Sequence, residues 1–455
     1  MRNRYLYITL LTLLGFNAEA TAQAVAQTPR LVVLVTVDQL RTDHLERSYP
    51  TYTDDGLRRL LTDGMVYSNG SYPFLPVDMA SAVASLATGT TPFYHGVTGR
   101  EWISRATLLP GSIVNDDQYR VSPQQLGTST TGDEMKVATD GNSHIYAFAL
   151  EADRAILSAG HAANGVAWIE NGQWQTTGYY TPADKWLASY VRHHKPIGDD
   201  NQDLTKIALA CTEQMGLGQD DKPDMLSIGY AVAPTTAGYA ALDRTIGDLL
   251  NGLTRHVPLD RMLFVLTSTG AIEEERREER FRIPTGKLYI NRTADLMNLY
   301  LGAVFGSAQY IETCYKNQLF LNHKLISQKN IDLGDVLRRA QEFLLQLSGI
   351  RNVYTSHQLL TSDNQRLERI RNGFNVEKCG DLLIDVAPGW ELVNEYTHQS
   401  STSRANIIPF PIIFYGADIQ PQRVTRPVTA DRIAPTIARA IRIRAPNACS
   451  AEPLF

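Results

Sequence analysis

The segment Leu31-Val32-Val33-Leu34-Val35-Thr36-Val37 is an almost unbroken apolar, β-branched run, and it ends at Asp38. No polar alternation marks a solvent face. Such a run reads as a strand covered on both sides, the situation of strands inside parallel sheets. Parallel neighbours need crossover connections, and the chain supplies them. Helical spacing covers 52–64, 78–88 (stopping at Gly89), a short stretch up to Gly160, 237–253, 333–347 and 429–443. Strand-like runs cover 145–150, 225–230, 262–267, 381–386 and 411–415. The alternation predicts an α/β fold with a mostly parallel central sheet and helices on both faces. At 455 residues, 43% of them hydrophobic, the chain can bury a large core, and no repeat or Pro/Ser-rich linker divides it. The formal net charge of −5 gives no electrostatic support to nucleic-acid binding. The mixed-sign run from Glu273 to Arg280 reads as a solvated loop or helix face.

Arg2 and Arg4 precede an apolar run from Tyr5 to Phe16, and small residues follow around Ala18, Ala20 and Ala22. This is the pattern of a secretory signal peptide, expected to occupy 1–22 and to leave a domain of 23–455. The run is too short for a bilayer span of about 20 residues, and no later segment is long and apolar enough. The expectation is therefore an exported protein, periplasmic or associated with the outer membrane, with no transmembrane segment after cleavage. Cys211, Cys314, Cys379 and Cys449 are far apart with no C-x-x-C, so a zinc knuckle is not expected. One or two disulfides and buried free thiols stay open as alternatives.

In open α/β sheets, ligands sit at the carboxyl ends of strands, which directs attention to Asp38. The opening Val35-Thr36-Val37-Asp38-Gln39-Leu40-Arg41 resembles that of the alkaline phosphatase superfamily. Its branch of Thr-nucleophile alkaline phosphatases and nucleotide pyrophosphatases/phosphodiesterases fits best. The resemblance continues, in order, through the helix Gly56 to Gly64, Ala87-Thr88-Gly89-Thr90-Thr91-Pro92 and His95-Gly96. It runs on through Gly132-Asp133-Glu134-Met135-Lys136 and Ser158-Ala159-Gly160-His161, then Leu242-Asp243-Arg244, Gly380-Asp381-Leu382-Leu383 and Phe414-Tyr415-Gly416. It implies an alkaline-phosphatase-like fold. It also implies phosphate-ester hydrolysis by two zinc ions and a Thr that forms a covalent phospho-enzyme.

Carried over residue by residue, the implied site is not intact. Counting back from Thr88-Gly89, the nucleophilic Thr falls on Met79, whose thioether has no proton to lose. A metal-binding Asp and a His four residues later fall on Pro234 and Gly238, or in the neighbouring register on Thr235 and Tyr239. A further Asp-His pair falls on Thr269 and Gly270, and the last His on Pro409. Asp38 alone keeps the family's residue. Around them, a phosphate-binding Asn becomes Arg100, and the Lys and Arg of a Lys-Asp-Arg motif become Glu151 and Asp153, with Arg154 next in line. Two carboxylates where cations are implied would repel a phosphate ester. Ser81 and Ser85 read as small helix-packing residues, and the ten histidines show no H-x-x-x-H spacing.

Three readings follow. The first is a pseudoenzyme with no metal cofactor, its two zinc ions lost. It would serve as a binding or structural subunit beside a protein partner in the cell envelope. The second is an active phosphoric ester hydrolase with a rearranged site. The third is a binder of a glycan, lipid headgroup or nucleotide without turnover. A buried Asp38 without metal would need another cation, and an arginine, Arg100 before Arg41, is the expected one, pairing with Asp38 or with Glu151 and Asp153.

Overall fold

The structure is a computed structural model that describes residues 28–180, 185–198, 200–273, 284–403 and 407–455. The expected signal peptide and most of the mixed charge run lie outside them. The central sheet is built in chain order from β1 (Leu31–Asp38), β2 (Met65–Ser71), β3 (Ile145–Ala149), β4 (Gly165–Glu170), β5 (Gln173–Gln175), β6 (Asp224–Ala231), β7 (Met262–Ser268), β8 (Phe410–Gly416), β9 (Gln422–Val424) and β10 (Val428–Thr429). Its order is β9-β2-β8-β7-β1-β6-β3-β4-β5, with β10 pairing β2 off this path. The stretch β7-β1-β6-β3-β4 is parallel, whereas β8 runs antiparallel to both β7 and β2, so the whole sheet is mixed.

β1 lies in the middle, and its composition explains why. Leu31, Val33, Val35 and Val37 enter one apolar layer, while Val32 and Leu34 enter the other. The first layer is closed by α1 (Leu57–Asp63), α5 (Asp200–Met215) and α6 (Thr236–Leu253). Across the sheet lie α2 (Met79–Thr88), α3 (Thr131–Ala138), α4 (Ala152–Ala159) and α7 (Ile433–Ala440). Covering both faces is what a continuous apolar strand requires.

Between β7 and β8 the chain builds a second, smaller lobe. A four-stranded antiparallel sheet joins Ile311–Tyr315, Gln318–Leu321, Leu382–Val386 and Ile350–Thr355, and a three-stranded one joins Gly286–Tyr289, Trp390–Val393 and Ser400–Thr402. Helices Ile290–Phe305 and Leu333–Leu344 pack on them around an apolar core of their own. No disulfide links the four cysteines, and Cys211 and Cys379 are buried. Among the described residues no helix is long and apolar enough to cross a membrane.

Candidate functional site

β1, β6 and β7 end together, with Asp38 in register with Ala231 and Val37 with Ser268. The chain leaves β1 through Gln39, which adopts a positive φ of 63°. Its N–H donates to the Gly270 carbonyl at 3.1 Å, and its side-chain oxygen accepts from Ile272 N at 3.0 Å. These bonds clamp the loop after β1 to the loop after β7. The clamp presents Thr269 to Asp38, and the Thr269 hydroxyl donates to Asp38 Oδ1 at 3.1 Å. Gly270 has φ +98°, and a Cβ there would stand 3.2 Å from Val77, so this loop also abuts the segment entering α2. Beneath it, buried Tyr72 donates to the Ser268 carbonyl at 2.6 Å.

Met79 is the first residue of α2. The helix begins there because Asp78 caps it, accepting from Ala80 N at 3.0 Å while Ser81 closes a reciprocal capping box. It ends at Gly89 in the left-handed conformation. Met79 is partly buried against the apolar cluster of Ala80, Val83 and Ala149. Further along, Ser85 Oγ lies 2.9 Å from His95 Nε2, with both residues fully buried. His95 Nδ1 accepts the Val97 N–H at 3.1 Å, so the ring proton sits on Nε2 and is given to Ser85. This pair therefore holds no base for the serine hydroxyl, and burial pushes the imidazole down to about 3.

Two strands along from β1, α4 follows β3. Glu151 stands at its start, with one carboxylate oxygen buried and without a partner among the described residues. Burial raises the Glu151 carboxyl, while Arg154 and Arg100 pull it down. Asp153 is buried and receives Arg100 in a two-armed pair, Nε at 2.8 Å and a terminal nitrogen at 3.3 Å. The same guanidinium stands 3.6 Å from Glu151, and the Arg100 backbone N–H reaches Asp78 at 3.1 Å. Arg100 thus takes carboxylate partners, and they are Asp153 and Glu151 rather than Asp38. Arg41 turns away to Asp43 and Glu273. Burial raises Asp78, Asp153 adds to the rise, and Lys316 of the smaller lobe opposes it.

The structure thus gathers Asp38, Thr269 and Gly270 directly, and Arg100, Glu151 and Asp153 as a second group joined to Asp78 and so to Met79. Among the described residues, Pro409 is not joined to the first group by a hydrogen bond: its carbonyl accepts from Thr42 N at 3.1 Å. Thr235 caps α6, and Tyr239 four residues on accepts from Arg41 N at 2.9 Å. Two participants were not apparent from the sequence. Lys316 sits in a two-residue turn of the smaller lobe, whose proximity only the tertiary fold reveals. Arg154 was visible merely as a neighbour of Asp153, and nothing local signals that its side chain is 1% exposed.

Residues 32–407 match the type I phosphodiesterase / nucleotide pyrophosphatase family. A Myroides odoratus protein named calcium-transporting ATPase is 26% identical, with 96% of each chain covered. Alkaline phosphatase PafA of Elizabethkingia meningoseptica is 23% identical, with 94% of each chain covered. The crystal structure of PafA superposes with a TM-score of 0.80 at 22% identity, covering 94% of this chain and 98% of that one. Fold, sequence span and family match agree: the chain belongs to the type I phosphodiesterase / nucleotide pyrophosphatase family.

Proposed function

We propose that this protein is a non-catalytic, exported member of its family that serves as a binding or structural subunit in the cell envelope. The observation that carries the reading is the Arg100–Asp153 pair. Where the resemblance implies cations that hold a phosphate ester, this cleft holds Glu151 and Asp153, and its nearest guanidinium is already spent on them. A phosphate dianion would meet Asp38, Asp78, Glu151 and Asp153 against Arg100, Arg154 and Lys316.

The donors do not fit a pair of zinc ions. Zinc takes thiolate, imidazole or carboxylate ligands. The positions assigned to ligands carry one carboxylate, at Asp38, with Thr269, Gly270, Pro409 and either Pro234 and Gly238 or Thr235 and Tyr239 for the rest. No step is therefore routed through metal. Nor does a substitute nucleophile stand out. The Thr269 hydroxyl donates its proton to Asp38 from the loop after β7 and not from α2, where the resemblance puts the nucleophile, and Ser85 receives rather than gives a proton in its bond with His95. The reading as an active hydrolase with a rearranged site thus has no arrangement that favours it.

The test is an assay of the purified mature chain, with and without added zinc, on p-nitrophenyl phosphate and its bis-ester, together with metal analysis. Rates at background and no pair of tightly held zinc ions are expected. Turnover that scales with protein and disappears in Asp38→Asn would overturn the reading. Capture of partners under mild detergent then addresses what the protein binds.

A further inference from the structure

Arg154 is the third residue of α4, and its side chain runs inward beneath the cleft. A terminal nitrogen donates to the Tyr230 carbonyl at 2.6 Å and the Thr36 carbonyl at 2.8 Å, with the Thr36 hydroxyl at 3.3 Å. It therefore bridges the adjoining strands β6 and β1 two residues before Asp38. Room for it exists because residue 229 is glycine: a Cβ there would lie 2.5 Å from Arg154 Nε and 2.9 Å from its Cδ. Nε has no partner among the described residues. A buried guanidinium bonded to carbonyls, with one donor unsatisfied, is costly unless opposite charge surrounds it. Burial lowers the guanidinium from its ordinary range, and Glu151, Asp38, Asp153 and Tyr72 oppose this through space. Arg100 serves the same carboxylates from the open side.

We propose that Arg154 is the fixed cation of this cleft: it supplies from within the chain the positive charge that zinc supplies in the family, and thereby makes the fold independent of metal. The proposal rests on the reading that the zinc site has been lost, and it reassigns the compensating role from Arg100, at the mouth, to Arg154, beneath the floor. Arginine suits the place because it stays charged when buried and spreads its donors over several acceptors.

The experiment compares melting temperatures of the full mature chain carrying Arg154→Gln, which keeps N–H donors without charge, and Arg154→Lys, which keeps charge with fewer donors. Arg154→Gln should lower the melting temperature by roughly 5 °C or more, and Arg154→Lys by less. Adding Glu151→Gln to Arg154→Gln should recover part of the loss, since it removes a carboxylate left without its cation. Glutamine tolerated as well as lysine, with no recovery from Glu151→Gln, would overturn the proposal and leave Arg154 a packing residue. Should Arg154→Gln fail to fold, the unaltered protein still decides: its melting temperature should not change in EDTA or with added zinc, and a drop in EDTA would sink the idea. Turnover of a phosphate ester would refute the functional reading while leaving the charge coupling measurable, so the two fail separately.

Discussion

His95 lies fully buried under α2, and burial holds its imidazole down to about 3. The unfolded chain takes up this proton near pH 6.5, whereas the folded one refuses it until about 3. Stability due to this residue is therefore complete above about pH 6.5 and is lost as pH falls toward 3. The ring resonances of His95 should show no titration between pH 8 and 5, and His95→Gln should flatten the acid side of the stability profile. An NMR midpoint near 6 would show that burial does not suppress protonation of this ring. Gly229 offers a second test at this scale. Gly229→Ala would drive a methyl against Arg154 and the Ala149 side chain, and should cost about 1–3 kcal/mol in a denaturant melt. Residue identities at the cleft are open to a reader of the sequence. Burial is not: Asp153 and Arg154 are adjacent and both charged, yet one faces a guanidinium at the cleft and the other crosses two strands.

Among the elements, α2 is the best specified, by Asp78 at its start and Gly89 past its end, and the structure places it within a residue of the 78–88 expected. Asp78→Ala removes the cap and the acceptor for Arg100 N, and should destabilise the protein by about 1 kcal/mol while Asp78→Asn costs less. Equal melting of the two variants would show that the cap contributes little. Other elements departed from their pattern for reasons that lie elsewhere in the chain. Helical spacing starts at Tyr52, but α1 begins only at Leu57, because the buried Asp243 carboxylate takes Thr53 N and Leu57 N and holds the intervening turn. Residues 429–443 read as one helix, whereas Val428–Thr429 is drawn into pairing with β2, a 3-10 turn follows at Ala430–Arg432, and α7 starts at Ile433. β2 itself escaped notice because Ser68-Asn69-Gly70-Ser71 is polar and turn-like. Sheet pairing overrides this, and Gly70 is required where a side chain would strike the Phe410 carbonyl.

For the whole molecule, alternation of strands and helices conveys the α/β class, yet it does not announce that the chain between β7 and β8 leaves the sheet to form a separate lobe. Nothing in local periodicity distinguishes Leu382–Val386, a strand of that lobe, from one of the central sheet. What ties the lobe down is again polar. Arg105 reaches buried Asp381 at 3.2 Å and the Cys379 carbonyl at 2.8 Å, while His323 bonds the same carboxylate at 2.9 Å. Asp381 stays low despite its burial because these partners favour the carboxylate. Arg105→Ala should cost about 2 kcal/mol and raise amide exchange in Leu382–Val386 relative to β1. Uniform exchange across both strands would mean that the lobe is held by its apolar contacts alone.

The guanidinium lodged over Gly229 also bears on anyone who would install phosphatase chemistry in this scaffold. Changing Met79 to threonine supplies a hydroxyl to accept a phosphoryl group but nothing to activate it or to hold the phosphate ester. Adding aspartates or histidines one at a time places new ligands beside a cation that cannot be deprotonated. Removing that cation first leaves the acids above it exposed to one another. On the reading proposed above, the order of changes matters: ligands and Arg154 would have to be exchanged together rather than one at a time.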